Sequence, residues 1–202
     1  ARVPSVQKMI VQKCNDAGKP VIVATQMLES MIGSSTPTRA EVSDVANAIF
    51  DGADAVMLSE ETALGKYALE AIQTMNGVAL QVEGDIGTHR RYKVHTNHIV
   101  DSVSSSVVHN AEDVQAKVIV ALTESGFTPR MISRDKPQQS LIALTPHEAV
   151  ARKLQLVYGV YPTVTKPFQN LNQVASLVQT LLLKEKIVEK GDRAVLAAGV
   201  PF

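Results

Sequence analysis

The stretch KPVIVATQMLESM, residues 19–31, decides how the chain is read. Its apolar run from Val21 to Ala24 lacks polar alternation, the pattern of a short strand covered on both faces, and it stops at Thr25 and Gln26, where a helical spacing begins. A second run, DAVMLS at residues 54–59, has the same character and ends on Ser59. Between them TPTRAEV carries a helix start, with Thr36 or Thr38 as cap and Glu41 three residues beyond Thr38. Val42, Val45, Ala46 and Ile49 follow at helical spacing, and the Asp51-Gly52 pair closes the helix.

Outward from this core the same alternation continues. A helix over residues 5–17 precedes the first strand, and another over residues 66–83 follows the second. EGDIGTHRRYKVHTNH, residues 83–98, has two glycines, clustered charge and no apolar period, so the domain boundary is expected there, with one domain at 1–87 and a second at 88–202. The rhythm then resumes: a helix over 99–111, strand KVIVALT, a short helix, strand SLIALT, helix HEAVARKLQL, strand YPTVT, a long helix ending near Lys190, and strand RAVLAAG. Strands alternating with amphipathic helices predict an α/β fold with largely parallel sheets and helices on both faces. Two strands cannot close a sheet alone, so those of the first domain belong to a larger sheet or join the second half.

Composition narrows the function classes. Twenty basic and 20 acidic residues balance to zero, scattered rather than striped, which argues against nucleic acid or an anionic membrane and for a small-molecule partner. The single cysteine, Cys14, cannot form an internal disulfide and is read as structural. No apolar run approaches the ~18 residues of a membrane span, and ARVPSVQKMIVQK is not a signal peptide, so a cytoplasmic location is expected. That segment also lacks a start methionine, which reads as a piece of something longer.

In parallel α/β folds chemistry collects at the carboxyl ends of strands. Thr25 could hydrogen-bond a carboxylate or hold a water there, or simply cap the next helix. Ser59 ends the second strand, followed by Glu60 and Glu61 near a helix or turn start, where neighbours face different ways and at most one enters a site. TESGFTPR offers Thr123, Glu124, Ser125, Gly126 and Thr128 between a strand and a helix, either a cradle for one phosphate or an ordinary glycine turn. His95 and His98 stand three apart without a third ligand, and His89, His109 and His147 are isolated, so no metal site is expected.

From KPVIVATQMLESMIGSSTPTRAEVSDVANAIFDGADAVMLSEETALGKY the chain resembles, nearly word for word, the late catalytic barrel of pyruvate kinases. AKVIVALTESGFTPRMISRDKP and LIALTPHEAVARKLQLVYGVYP are similar to that family's C-terminal domain. The resemblance implies the last two βα units of a (β/α)8 TIM barrel, with strands at 21–25 and 54–59, followed by a C-terminal α/β regulatory domain. It implies phosphoryl transfer from phosphoenolpyruvate to ADP, giving pyruvate and ATP, in glycolysis. Thr25 matches the family's substrate-contacting threonine, on the carboxylate and methylene side of phosphoenolpyruvate. Ser59 matches a serine in the hydroxyl and water network behind the proton donor, a supporting catalytic role. Glu61 matches a glutamate that stands behind the site rather than in it.

The same resemblance places the phosphoryl-stabilising lysine and the ligands of Mg2+ and K+ upstream of residue 1, so the chain alone is expected to be inactive. It makes Thr123, Glu124, Ser125, Gly126 and Thr128 an effector-phosphate loop. TKPFQNLNQVASL supplies little beyond Lys166 for a second phosphate, so fructose 1,6-bisphosphate is disfavoured and a sugar monophosphate, a nucleotide or an empty site stay open. A homotetramer is implied, with the helix over 39–51 near one contact. Glu60 and Ala68 depart from the family's usual glycine and proline. Two other classes remain to be weighed: a non-catalytic effector-binding module, and a scaffold for subunit contacts.

Overall fold

The computed structural model describes residues 2–86, 99–167 and 171–199, and the chain divides into two compact units, Ala1–Tyr92 and Lys93–Phe202. The boundary expected between residues 87 and 88 lies outside the described residues, as do His89, His95 and His98.

In the first unit α1 (Val3–Asp16) begins with Pro4 in its first turn and ends before Gly18, whose φ of 60° is the left-handed conformation that glycine adopts most readily. Strand β1 (Ile22–Ala24) pairs in parallel with β2 (Ala55–Met57), with Ala24 opposite Met57. The Asp54 carboxylate extends the pairing by accepting the Val21 N–H at 2.9 Å, while the Asp54 N–H donates to the Val21 carbonyl. Helix α2 (Arg39–Phe50) starts at the expected Thr38 with both halves of the capping box formed. A short α3 (Glu60–Ala63) follows β2, then α4 (Ala68–Ile86). The apolar sides of α2 and α4 bury Val45, Ala48, Ala71 and Met75 with Met27, Leu28 and Met31.

Three expectations need correction here. Helix α4 continues to Ile86, so residues 83–86 of the expected boundary segment are helical; Val82, 5 % exposed, ties this last part down. Strand β1 is apolar yet not covered on both faces: Ile22 is 43 % exposed, and so is Met57 of β2 at 45 %, because two strands leave faces and edges unpacked within this chain. Thr25 caps no helix, since a 3-10 turn at Glu29–Ile32 starts from Leu28 instead.

The second unit is a four-stranded parallel sheet in the order β5-β4-β3-β6, with β3 (Val118–Leu122) and β4 (Ser140–Thr145) central and β5 (Val160–Val164) and β6 (Ala194–Ala197) at the edges. One face packs Ile119, Ala121, Leu141 and Ala143 against α5 (Ile99–Asp113), α6 (Phe127–Ser133) and α7 (Glu148–Leu154). The other packs Val118, Val120, Ile142 and Leu144 against Val174, Val178 and Leu182 of α8 (Leu171–Lys184). Helices on both faces bury β3 throughout and β4 from Leu141 onward, which is why those stretches read as apolar runs. Helix α8 stops six residues before the expected Lys190. Lys186 adopts φ 55°, and the Ile187 N–H turns back to the Leu182 carbonyl at 2.9 Å, closing the helix without a glycine.

Candidate functional site

Because β1 and β2 are parallel and in register, Thr25 and Ser59 emerge at the same end of their sheet, one residue past Ala24 and two past Met57. Thr25 has φ 79° and Gln26 φ 57°. Two successive non-glycine residues with positive φ are uncommon, and a β-branched one is a marked outlier, held only where the surroundings over-determine it. The turn redirects the chain sharply off the strand and sets Thr25 and Gln26 in the lining of a polar cleft of about 330 Å³, with Lys8, Asp44, Asn47 and Asp51 on its helical walls. Lys8 is paired with Asp51. Ser59 does not line this cleft. It precedes α3 without capping it through its side chain.

The segment after Thr25 is pinned at three alternate residues. The Leu28 N–H donates to Glu61 Oε1 at 3.1 Å, the Ser30 N–H to Glu41 Oε1 at 2.7 Å, and the Ile32 carbonyl accepts the Lys66 N–H at 3.0 Å. Of the adjacent glutamates after Ser59, Glu60 is exposed and Glu61 is 2 % exposed. Burial pushes the Glu61 carboxyl up, but hydrogen bonds from its own amide and those of Ser59 and Leu28 outweigh this, and Glu41 opposes weakly; the net shift is downward. Spacing allowed at most one of these glutamates to enter a site, and did not disclose that Glu61 would reach Leu28, 33 residues away.

In the second unit the loop after β3 lies at the point where the order reverses, β4 being on one side of β3 and β6 on the other. Open parallel sheets hold ligands beyond the carboxyl ends at such a point. Thr123 is buried, and its Oγ1 accepts the Gly126 N–H at 2.8 Å, while Ser125 Oγ accepts the Phe127 N–H at 3.3 Å. Gly126 has φ 81°, and a Cβ there would meet Leu154 and Val150 at 3.3 Å, so the turn needs glycine. Thr128 is half-buried in the first turn of α6. Exposed Glu124 reaches His147 Nε2 at 2.7 Å, a pairing between loops after neighbouring strands that sequence spacing does not disclose. The five loop residues thus come together, in a unit separate from that of Thr25 and Ser59.

Family models match both units: the pyruvate kinase barrel domain over residues 1–72 and the pyruvate kinase alpha/beta domain over residues 101–202. The chain belongs to the pyruvate kinase family. It is 45 % identical to a pyruvate kinase of Clostridium acetobutylicum over 204 residues, covering 99 % of this chain and 43 % of that protein. It is also 45 % identical to that of Geobacillus stearothermophilus, covering 98 % and 35 %. A crystal structure of a Cryptosporidium parvum pyruvate kinase superposes with a TM-score of 0.86 at 40 % identity, covering 98 % of this chain and 41 % of that one. The chain therefore spans less than half the length of these pyruvate kinases. In family terms β1 and β2 belong to the end of the barrel domain, and the four-stranded sheet is the C-terminal α/β domain.

Proposed function

We propose that the protein to which this chain belongs is a pyruvate kinase in activity: it transfers the phosphoryl group of phosphoenolpyruvate to ADP and protonates the enolate. In the first half the enol oxygen–phosphorus bond breaks and a bond from phosphorus to a terminal ADP oxygen forms. In the second the enolate's electron pair restores the carbonyl while its methylene carbon takes a proton, giving pyruvate. The family's reaction uses Mg2+ and K+ to neutralise charge on the phosphoryl oxygens. Among the described residues no group of three or more His, Cys, Asp and Glu could hold a metal ion, so the residues here do not fit those ions, and no step is assigned through them.

The observation that carries the reading is Thr25 at φ 79°, at the carboxyl end of a barrel-domain strand and lining a polar cleft. Strain of this kind collects where a side chain must point at a substrate. Thr25 contacts the carboxylate and methylene side of phosphoenolpyruvate; Ser59, at the same end of the sheet, supports the hydroxyl and water network that delivers the proton. The test is the full-length enzyme carrying Thr25→Val and Thr25→Ser. Loss of about two or more orders of magnitude in kcat/KM for valine, with partial retention for serine, supports the assignment, since removing one positioned donor costs that much. Wild-type kinetics in Thr25→Val would overturn it.

The loop of Thr123, Glu124, Ser125, Gly126 and Thr128 is read as an effector-phosphate site for a sugar monophosphate or a nucleotide. Its place at the order reversal of the sheet supports this. The internal bonds from Gly126 to Thr123 and from Phe127 to Ser125 must yield, or be shared, when a phosphate enters. We further read the whole enzyme as a cytoplasmic homotetramer; no helix of the described residues is long and apolar enough to cross a membrane. Domain limits of 1–87 and 88–202 are kept as part of this reading.

A further inference from the structure

We propose that Glu61 is a positioning residue whose carboxylate clamps the backbone after β1 to the backbone after β2, and so fixes where Thr25 and Ser59 stand; this rests on the roles given to those residues above. Glu61 is 2 % exposed, and an unpartnered carboxylate could not be buried there without a large desolvation cost. Its two oxygens are filled from two different strand ends: Oε1 by the Leu28 N–H at 3.1 Å, and Oε2 by the N–H of Ser59 itself at 2.7 Å. Leu28 is three residues past Thr25, the nearest tether on that side of the left-handed Thr25-Gln26 turn.

The chemistry selects glutamate. An ionised carboxylate presents two equivalent acceptors on a planar fork, whereas glutamine has one acceptor and an NH2 that would face a backbone N–H. Aspartate is one methylene shorter and cannot reach both loops from the same backbone position. The turn is also tight: a Cβ on Gly65 would lie 2.3 Å from the Glu61 carbonyl oxygen, so the chain can pass this close to Glu61 only with glycine at position 65. With both oxygens engaged by amides and the carboxyl held below its ordinary range, Glu61 carries no transferable proton near neutrality. Its effect on the reaction is exerted through the positions of Thr25 and Ser59.

The reverse of enolate protonation can be read without phosphoryl transfer, as exchange of the pyruvate methyl hydrogens with solvent deuterium. In the full-length enzyme, Glu61→Gln and Glu61→Asp are expected to slow this exchange ~10-fold or more, because displacements of about 1 Å at reacting groups have effects of that order. The KM for phosphoenolpyruvate should stay within about 3-fold and ATP formation should fall less than exchange, with enolpyruvate tautomerising in solution. A core variant outside the cluster that holds Leu28, Val82→Ala on α4, matched in its loss of thermal stability, should keep the wild-type ratio of exchange to ATP formation. Equal losses of exchange and ATP formation in the Glu61 variants, or wild-type exchange, would overturn the positioning role. Should both variants fail to fold, amide hydrogen exchange in the wild type decides: Leu28 and Ser59 must be protected, and rapid exchange at both refutes the clamp. A wild-type enzyme showing neither exchange nor transfer overturns the proposed function, and this role with it.

Discussion

The Ser30 N–H donates to Glu41 Oε1 at 2.7 Å while the Thr38 N–H donates to Oε2 of the same carboxylate at 2.7 Å, so one side chain closes the α2 capping box and ties it to the segment leaving Thr25. A residue recognisable as an ordinary helix-start signal thus also serves the candidate site.

That double use has a pH signature. Partial burial raises the Glu41 carboxyl, but hydrogen bonds from the Ser30 hydroxyl and amide and from Thr38 more than reverse this, lowering it from 4.5 to about 2. A depressed folded-state value stabilises the fold above the unfolded value; that stability is lost as pH falls through 4.5 towards 2. Urea unfolding between pH 6 and 2.5 should therefore show a loss in the wild type that is reduced in Glu41→Gln. At pH 6 that variant should be less stable by about 1 kcal/mol, the usual worth of a cap.

Arg134, at the end of α6, forms a 2.7 Å ion pair with Asp101 of α5, the side chains being 3 % and 12 % exposed. Removing one charge from such a buried pair strands the other, typically at about 3–5 kcal/mol, whereas replacing both with apolar residues is far milder. Asp101→Ala should cost about that much in denaturant unfolding, and Asp101→Leu with Arg134→Met should recover most of it.

Gly126→Ala should destabilise the second unit by about 1–2 kcal/mol through its left-handed conformation alone, with the contacts to Leu154 and Val150 adding to this. Heat unfolding measures the total. Phosphate protection of the wild type against heat should also be lost in this variant.

Much of the architecture was legible because it follows from local rules. The capping box at Thr38, the unbroken runs of β3 and β4, and the order of strands and helices all need only neighbouring residues. Ends were misjudged where no apolar period marks them: α4 runs past Glu83 through exposed residues, and α8 is stopped by Lys186 in a left-handed conformation that no glycine announces. At the site, Thr25 and Ser59 stood out as polar residues ending apolar runs. The bonds from Glu61 to Leu28, Glu124 to His147 and Arg134 to Asp101 span 23 to 33 residues and depend on how strands align, which spacing does not encode.

The most direct test compares the full-length protein with the 202-residue chain for ATP formation from phosphoenolpyruvate and ADP, with Mg2+ and K+ present. The account predicts turnover by the former and none by the latter, because the chain supplies Thr25 and Ser59 but not the groups that move the phosphoryl. Turnover by the isolated chain, or its absence in the full-length protein, would contradict it.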